Sequence, residues 1–377
     1  MAATSAGKVC RYWQEYQSLS GLICYCEVEA FGKKLSAAEL AEVGCTPERR
    51  RLCLKTMQVT VGYGRVPATT TVPTTSCDPP PQIVTTVVGA AEKKVAARGL
   101  ALLVLGVLAG AYIALGAQLS TIATSDLAKY VGDGLTRVVA GLVFSLGLIL
   151  VVVGGAELFT GNNLIITGVL ERKVTPGQLL KNWTAVYLTN LLGALAVVLI
   201  MYGTGLWKAN GGLVGLKAVS IANAKCSLTF GEAFFRGVMC NWLVCLAVWL
   251  AAAGRDAVSK ILGIVFPIAA FVASGFEHSI ANMYFIPMGI LLKGAPALAP
   301  VLAQGFGLEA GVAPAAPPAL AHLSWAGFGM NLLPVTLGNI VGGALFVGCA
   351  YWLAYARAGK PREAAAPAAQ SRGAVVP

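Results

Sequence analysis

The sequence predicts an all-α integral membrane protein of six spans, arranged as an inverted 3+3 repeat with two broken helices. Three observations carry this. First, 56% of the 377 residues are hydrophobic and only 12% charged, whereas a soluble domain carries about 25% charged residues. Second, apolar runs follow one another from residue 99 onward, each near the roughly 20 residues that cross about 30 Å of hydrocarbon. Third, two polar patterns recur in the same order in each half of the chain.

Residues 1–76 contain no apolar run long enough to span and read as an N-terminal extension. No hydrophobic core of a secretory signal follows the first basic residues. A transit peptide and a cytosolic tail stay open; Glu15, Glu27, Glu29, Glu39, Glu42 and Glu48 count against the first, because transit peptides are poor in acids. The Thr- and Pro-rich stretch from Pro67 to Pro81 reads as a linker. The transporter-like domain is 77–357, with spans at 99–119, 138–158, 183–203, 233–253, 261–274 continuing brokenly to 292, and 330–355. Residues 358–377, rich in Ala and Pro, read as a disordered tail.

The formal net charge of +11 does not imply nucleic acid. Basic residues beside apolar spans usually report topology. Eleven of them, including Lys93, Lys94, Arg172, Lys181 and Arg255, fall on one side. About seven, including Arg137, Lys217, Lys225 and Arg236, fall on the other. That bias puts both termini inside, as an even number of spans requires. None of the ten cysteines forms a CxxC pair, so no metal site is expected. With two histidines and no paired nucleophile and base, neither an enzyme nor a cofactor is expected.

The repeat is specific. GAELFTGNN at 155–163 and GFEHSIANM at 275–283 share G-x-E-x4-N: Gly155, Glu157 and Asn162 against Gly275, Glu277 and Asn282. Asn182, Asn190 and Gly193 repeat the N-x7-N-x2-G spacing of Asn331, Asn339 and Gly342. Each half holds three spans, an odd number, so the second half enters the membrane upside down. Glycine lets a helix leave its geometry. The freed backbone groups find no partner in hydrocarbon. Glu157 and Glu277, at matching positions, are therefore read first as supports for the broken backbone and second as proton carriers. The exposed dipole ends of the broken helices favour an anion at the bilayer centre.

At these residues the sequence resembles the formate/nitrite transporter family. GFEHSIANMYFIPMG (275–289) is similar to that family's signature around its central histidine, and GAELFTGNN to its first broken-helix loop. NWTAVYLTNLLGAL (182–195) and NLLPVTLGNIVGGALFVG (331–348) resemble its third and sixth helices. The resemblance implies an aquaporin-like six-helix bundle in a homopentamer, with one pore per protomer for small monovalent anions and protons. It makes His278 the pore histidine, Thr160 the threonine facing it, Lys225 the vestibule lysine and Asn331 the asparagine opening the sixth helix. It assigns Phe144, Leu148, Leu158, Phe159 and Phe271 to two apolar constrictions. His322, in an outer loop, is read as a surface residue. A neutral-solute channel is the weighed alternative, against which neither break carries the NPA tripeptide. Formate, nitrite and bicarbonate are not separated by these residues, nor the plasma membrane from a chloroplast envelope.

Overall fold

The computed structural model describes residues 13–18, 21–26, 77–97, 99–306 and 320–357. The chain divides into two units, Met1–Thr74 and Thr75–Pro377. In the first, β1 (Trp13–Ser18) and β2 (Gly21–Cys26) form an antiparallel hairpin, registered from Trp13 opposite Cys26 to Ser18 opposite Gly21. The targeting question and the tail at 358–377 lie outside the described residues.

The second unit is built of helices and short connections, with one isolated bridge between Cys77 and Gly254. Its first helix, α1 (Pro80–Ala96), begins inside the stretch that composition marks as linker. Proline at the first helical positions costs nothing, because those N–H groups have no helical partner. One face of α1, formed by Ile83, Val84, Val87 and Val88, is buried beside Trp249, Ala253 and Val347.

Spans one to three are α2 (Gly99–Ala123), α3 (Ala128–Gly154) with its half-helix α4 (Phe159–Leu170), and α5 (Pro176–Thr204). After α6 (Leu213–Cys226) come α7 (Phe230–Ala253), α8 (Ala257–Ala273) with its half-helix α9 (Ser279–Lys293), and α11 (Trp325–Arg357), preceded by the short α10 (Ala299–Gly305). Among the described residues, α2, α3, α5, α7 and α11 are each long and apolar enough to cross a membrane. The fifth span is composite, α8 followed by α9. The packing is duplicated: α2 lies against α3 and α5 as α7 lies against α8 and α11, and α3 meets α8. Gly193 and Gly342 mark equivalent crossings, where an added Cβ would lie 1.9 Å from the Val107 carbonyl oxygen and 2.1 Å from that of Val238.

Several span boundaries differ from the sequence reading; the third span begins at Pro176 rather than 183, and the first runs on to Ala123. The second span runs 128–154 rather than 138–158, because Gly155 stops it in the left-handed region at φ 79°. Its N-terminal extension carries Tyr130 and Arg137, and polar residues hid it. The last span begins at Trp325, so Asn331 sits in its second turn rather than at its opening.

Gly275 ends α8 with φ 76°, as Gly155 ends α3, and neither has a neighbour within 4 Å of an added Cβ. Strain is then the whole cost of a side chain there, about 1–2 kcal/mol for a left-handed residue. Gly275→Ala is expected to lower thermal stability in detergent by that amount. Gly329→Ala, which meets nothing and has no positive φ, serves as the control. Equal melting of the two variants would show that the left-handed turn is not needed.

The outward surface is apolar. Leu188, Leu192, Leu199 and Ile200 along α5 are each more than half exposed, and a continuous face of that kind calls for lipid or another apolar surface.

Candidate functional site

The centre of the bundle is built from the two breaks. Each leaves a short non-helical stretch, 155–158 and 275–278, whose last two residues are buried with several backbone groups outside the helical ladder. Both stretches solve this with the same side chains. Asn190 accepts from the Phe159 N–H at 3.0 Å and donates to the carbonyls of Glu157 (2.9 Å) and Gly106 (2.7 Å). Asn339 accepts from the Ser279 N–H at 2.9 Å and donates to those of Glu277 and Gly237, both at 2.9 Å. A buried amide making three bonds to backbone groups is a strut, since each group left unpaired would cost about 1–3 kcal/mol.

The carboxylates are duplicated too. Glu157 accepts from Asn162 at 2.8 Å and from the Lys94 ammonium at 2.8 Å. Glu277 accepts from Asn282 at 2.7 Å and from the Lys225 ammonium at 2.8 Å. Asn162 also donates to Asn182, and Asn282 to Asn331. Asn182 in turn donates to the Lys94 carbonyl and Asn331 to the Lys225 carbonyl, closing each ring. Glu157 and Glu277 therefore sit in matching supports, each with both carboxylate oxygens engaged. The pair of asparagines at 162 and 163 divides the work: Asn162 joins this ring, while the Asn163 side-chain oxygen accepts from Asn241 at 2.7 Å.

Lys94 was legible only as a topology residue. Its signal was a third repeated spacing: Lys94 precedes Gly106 by the same twelve residues that separate Lys225 from Gly237. The two lysines open onto different cavities. Lys94 lines one of about 460 Å³ with Lys181 and Asn182. Lys225 lines another of about 530 Å³ with Phe144, Phe271, Glu277 and His278.

Symmetry fails at one point. Leu158 and His278 occupy matching positions, each an extended residue before its half-helix, and both are buried. Leu158 offers no polar atom. His278 caps its own helix, Nδ1 accepting from the Ala281 N–H at 3.0 Å, and its Nε2 lies 3.0 Å from the Thr160 hydroxyl oxygen. Because Nδ1 accepts, the ring proton belongs on Nε2 and is donated to Thr160. The hydroxyl's own proton is left for another acceptor. An imidazolium would set N–H against N–H at Ala281 and forfeit the cap. Thr160 is anchored in turn through its carbonyl, which accepts from Asn241 at 3.2 Å.

The remaining expected residues fall on either side of this pair. Phe144 and Phe271 meet edge to face with centroids 5.6 Å apart, and Phe271 stacks on the His278 ring at 5.9 Å. Leu148 is buried one turn beyond Phe144 and is not part of the cavity wall. On the other side Leu158 and Phe159 are buried, Phe159 edge-on to Tyr187 at 4.9 Å. Asn331, expected along the pathway, has its amide committed to the ring below the cavity wall and does not line it. His322 is exposed, as read from the sequence. Among the described residues no group of acidic, histidine and cysteine side chains could hold a metal ion.

Comparison with known proteins fits this arrangement. The family profile described as formate/nitrite transporter matches residues 81–353. The chain is similar to a "Probable formate transporter" of Methanothermobacter thermautotrophicus, 43% identical over 269 residues that cover 67% of this chain and 88% of that protein. It is similar to the formate channel FocA of Escherichia coli strain K12, 42% identical over 265 residues covering 70% and 90% of the two chains. Among solved structures it resembles a pentameric formate channel with formate bound, with a TM-score of 0.58 and 40% identity, covering 71% of this chain and 98% of that one.

Proposed function

Because this chain belongs to the formate/nitrite transporter family, a family of membrane transport proteins rather than enzymes, we propose that it carries formate and similar small monovalent anions through a pore in each protomer of a homopentamer. The single observation that carries the reading is the His278–Thr160 pair, a fixed polar couple between apolar side chains where the other repeat has only Leu158.

The pathway follows from charge and desolvation. The cationic wall of the Lys225 cavity draws the anion in on one side, and the Lys94 and Lys181 cavity does the same on the opposite side. Beyond them lie Phe144 and Phe271 on one side and Leu158 and Phe159 on the other. A bare anion entering such a stretch loses hydration worth tens of kcal/mol by idealised Born reckoning. Desolvation also favours the neutral form of a weak acid, by up to about 3–5 pKa units in a fully buried site. The ion therefore takes up a proton as it leaves water and passes the aromatic rings as the neutral acid. The Thr160 hydroxyl, oriented by the His278 Nε2–H, holds it at the midpoint. The neutral imidazole acts as a fixed donor, and the proton comes with the substrate through water. Both termini face the cytoplasmic side, on the Lys/Arg bias, with the Lys94 cavity opening there.

Counterflow in proteoliposomes tests this. With formate, nitrite, bicarbonate and lactate offered at pH 5.5 and 7.5, formate and nitrite are expected to move, and faster at the lower pH. Passage of glycerol without any anion would replace the proposal with a neutral-solute pore.

A further inference from the structure

The Lys225 cavity carries more positive charge than a monovalent passenger requires. Four cations line it: Arg137 from α3, Lys217 and Lys225 from α6, and Arg236 from α7. One carboxylate shares the wall, Glu277, and its Oε1 is bonded to Lys225 at 2.8 Å. Lys225 is thereby largely spent, its ammonium also lying 5.4 Å over the Phe285 ring. The other three make no ion pair within 4 Å among the described residues. Two further carboxylates act on them from outside the wall. Asp133 faces Lys217, and Glu232, which caps the start of α7 through Thr229, faces Arg236. Burial pushes the Lys217 ammonium below the usual lysine range, Arg137 adds to the fall, and Asp133 pulls the other way. A bound anion would relieve the crowding of like charges that Lys217 and Arg137 now share.

We infer that this cavity is a binding site for small divalent oxyanions, of the sulfate or hydrogenphosphate kind, held by Arg137, Lys217 and Arg236, and that these ions bind there without being carried. Charge selects them twice. A doubly charged ion gains twice the attraction of formate from the same three cations. It cannot follow formate onward, because one proton leaves it charged, and the Phe144–Phe271 contact that floors the cavity offers it no counter-ion. A site that holds a dianion and a path that refuses it together make a mouth blocker. The binding part stands on the cavity alone; the blocking part rests on the anion passage proposed above.

Sulfate is the probe, and the full-length protein in detergent and in proteoliposomes is the material. In detergent, sodium sulfate is expected to raise the melting temperature more than sodium chloride at equal ionic strength, and the triple variant Arg137→Gln/Lys217→Gln/Arg236→Gln to lose that difference. In proteoliposomes, sulfate on both sides is expected to raise the half-saturating formate concentration several-fold without lowering the maximal rate. The triple variant should need at least ten-fold more sulfate for the same effect. The single variant Arg236→Gln, at an exposed position, gives a graded loss if the triple variant fails to fold. No melting shift beyond that of chloride in the wild-type protein overturns the site. A shift without any formate flux would sink the transport reading and leave the site standing; a shift with uninhibited flux would sink the blocking role.

Discussion

A His278→Leu chain is expected to fold, assemble and lose roughly two- to ten-fold of its formate flux, since a hydrogen bond between neutral groups is worth about 0.5–1.5 kcal/mol and each 1.4 kcal/mol is a factor of ten. The substitution copies the other repeat, where Leu158 stands at the matching place, so the local backbone already accommodates it. What disappears is the donor to Thr160, whose hydroxyl is then free to turn away from the pathway. The cap on α9 goes as well, at a cost of about 0.5–2 kcal/mol. His278→Asn restores a capping oxygen and is expected to recover stability but only part of the flux. Stopped-flow uptake on matched amounts of reconstituted protein measures both. Undiminished transport by His278→Leu, with the same pH dependence as the wild type, would remove the histidine from the mechanism.

The second large effect is structural. Asn339→Leu keeps the side chain's size and strips its three bonds to the Ser279 N–H and the Glu277 and Gly237 carbonyls. At about 1–3 kcal/mol for each buried group left unpaired, the loss is on the order of 3–9 kcal/mol, comparable with the roughly 5–15 kcal/mol that holds a domain together. The expected outcome is a chain with no monodisperse peak on size-exclusion chromatography in detergent. Asn190→Leu should fail in the same way, because it strips the matching bonds of the first repeat. A sharp peak with a melting point near the wild-type value for either variant would mean that water, not asparagine, satisfies the breaks.

The breaks were legible because their residues are costly in hydrocarbon. A Gly, a Glu and an Asn at fixed spacing inside an apolar run stand out, and their repetition fixes the inverted plan. The reading of Glu157 and Glu277 as backbone supports came from that same costliness. Less visible were groups that look ordinary in sequence. Lys94 lies among the basic residues beside the first span, a common place for a lysine, and only the fold brings it to Glu157. Helix α1 escaped notice because two prolines open it and a short apolar stripe makes up its buried face. Asn331 was placed on the pathway through resemblance, and the bonds by which it ties the Lys225 carbonyl to Asn282 are visible only in the fold. Cavity-lining aromatics cannot be told from ordinary core by periodicity, and Phe144 and Phe271 were singled out through resemblance alone.

The duplicated rings are each self-contained. Lys94, Glu157, Asn162, Asn182 and Asn190 all precede Thr204, and Lys225, Glu277, Asn282, Asn331 and Asn339 all follow Leu213. Bonds between the halves include those at the midpoint, where Thr160 meets His278 and Asn241 reaches Thr160 and Asn163, and others at Tyr187–Thr336, Gln118–Tyr284 and Glu171–Trp352. Each half is thus a module that keeps its own ring. Neither module alone owns the proposed transport centre, because its two members, a hydroxyl and an imidazole, come from opposite parents.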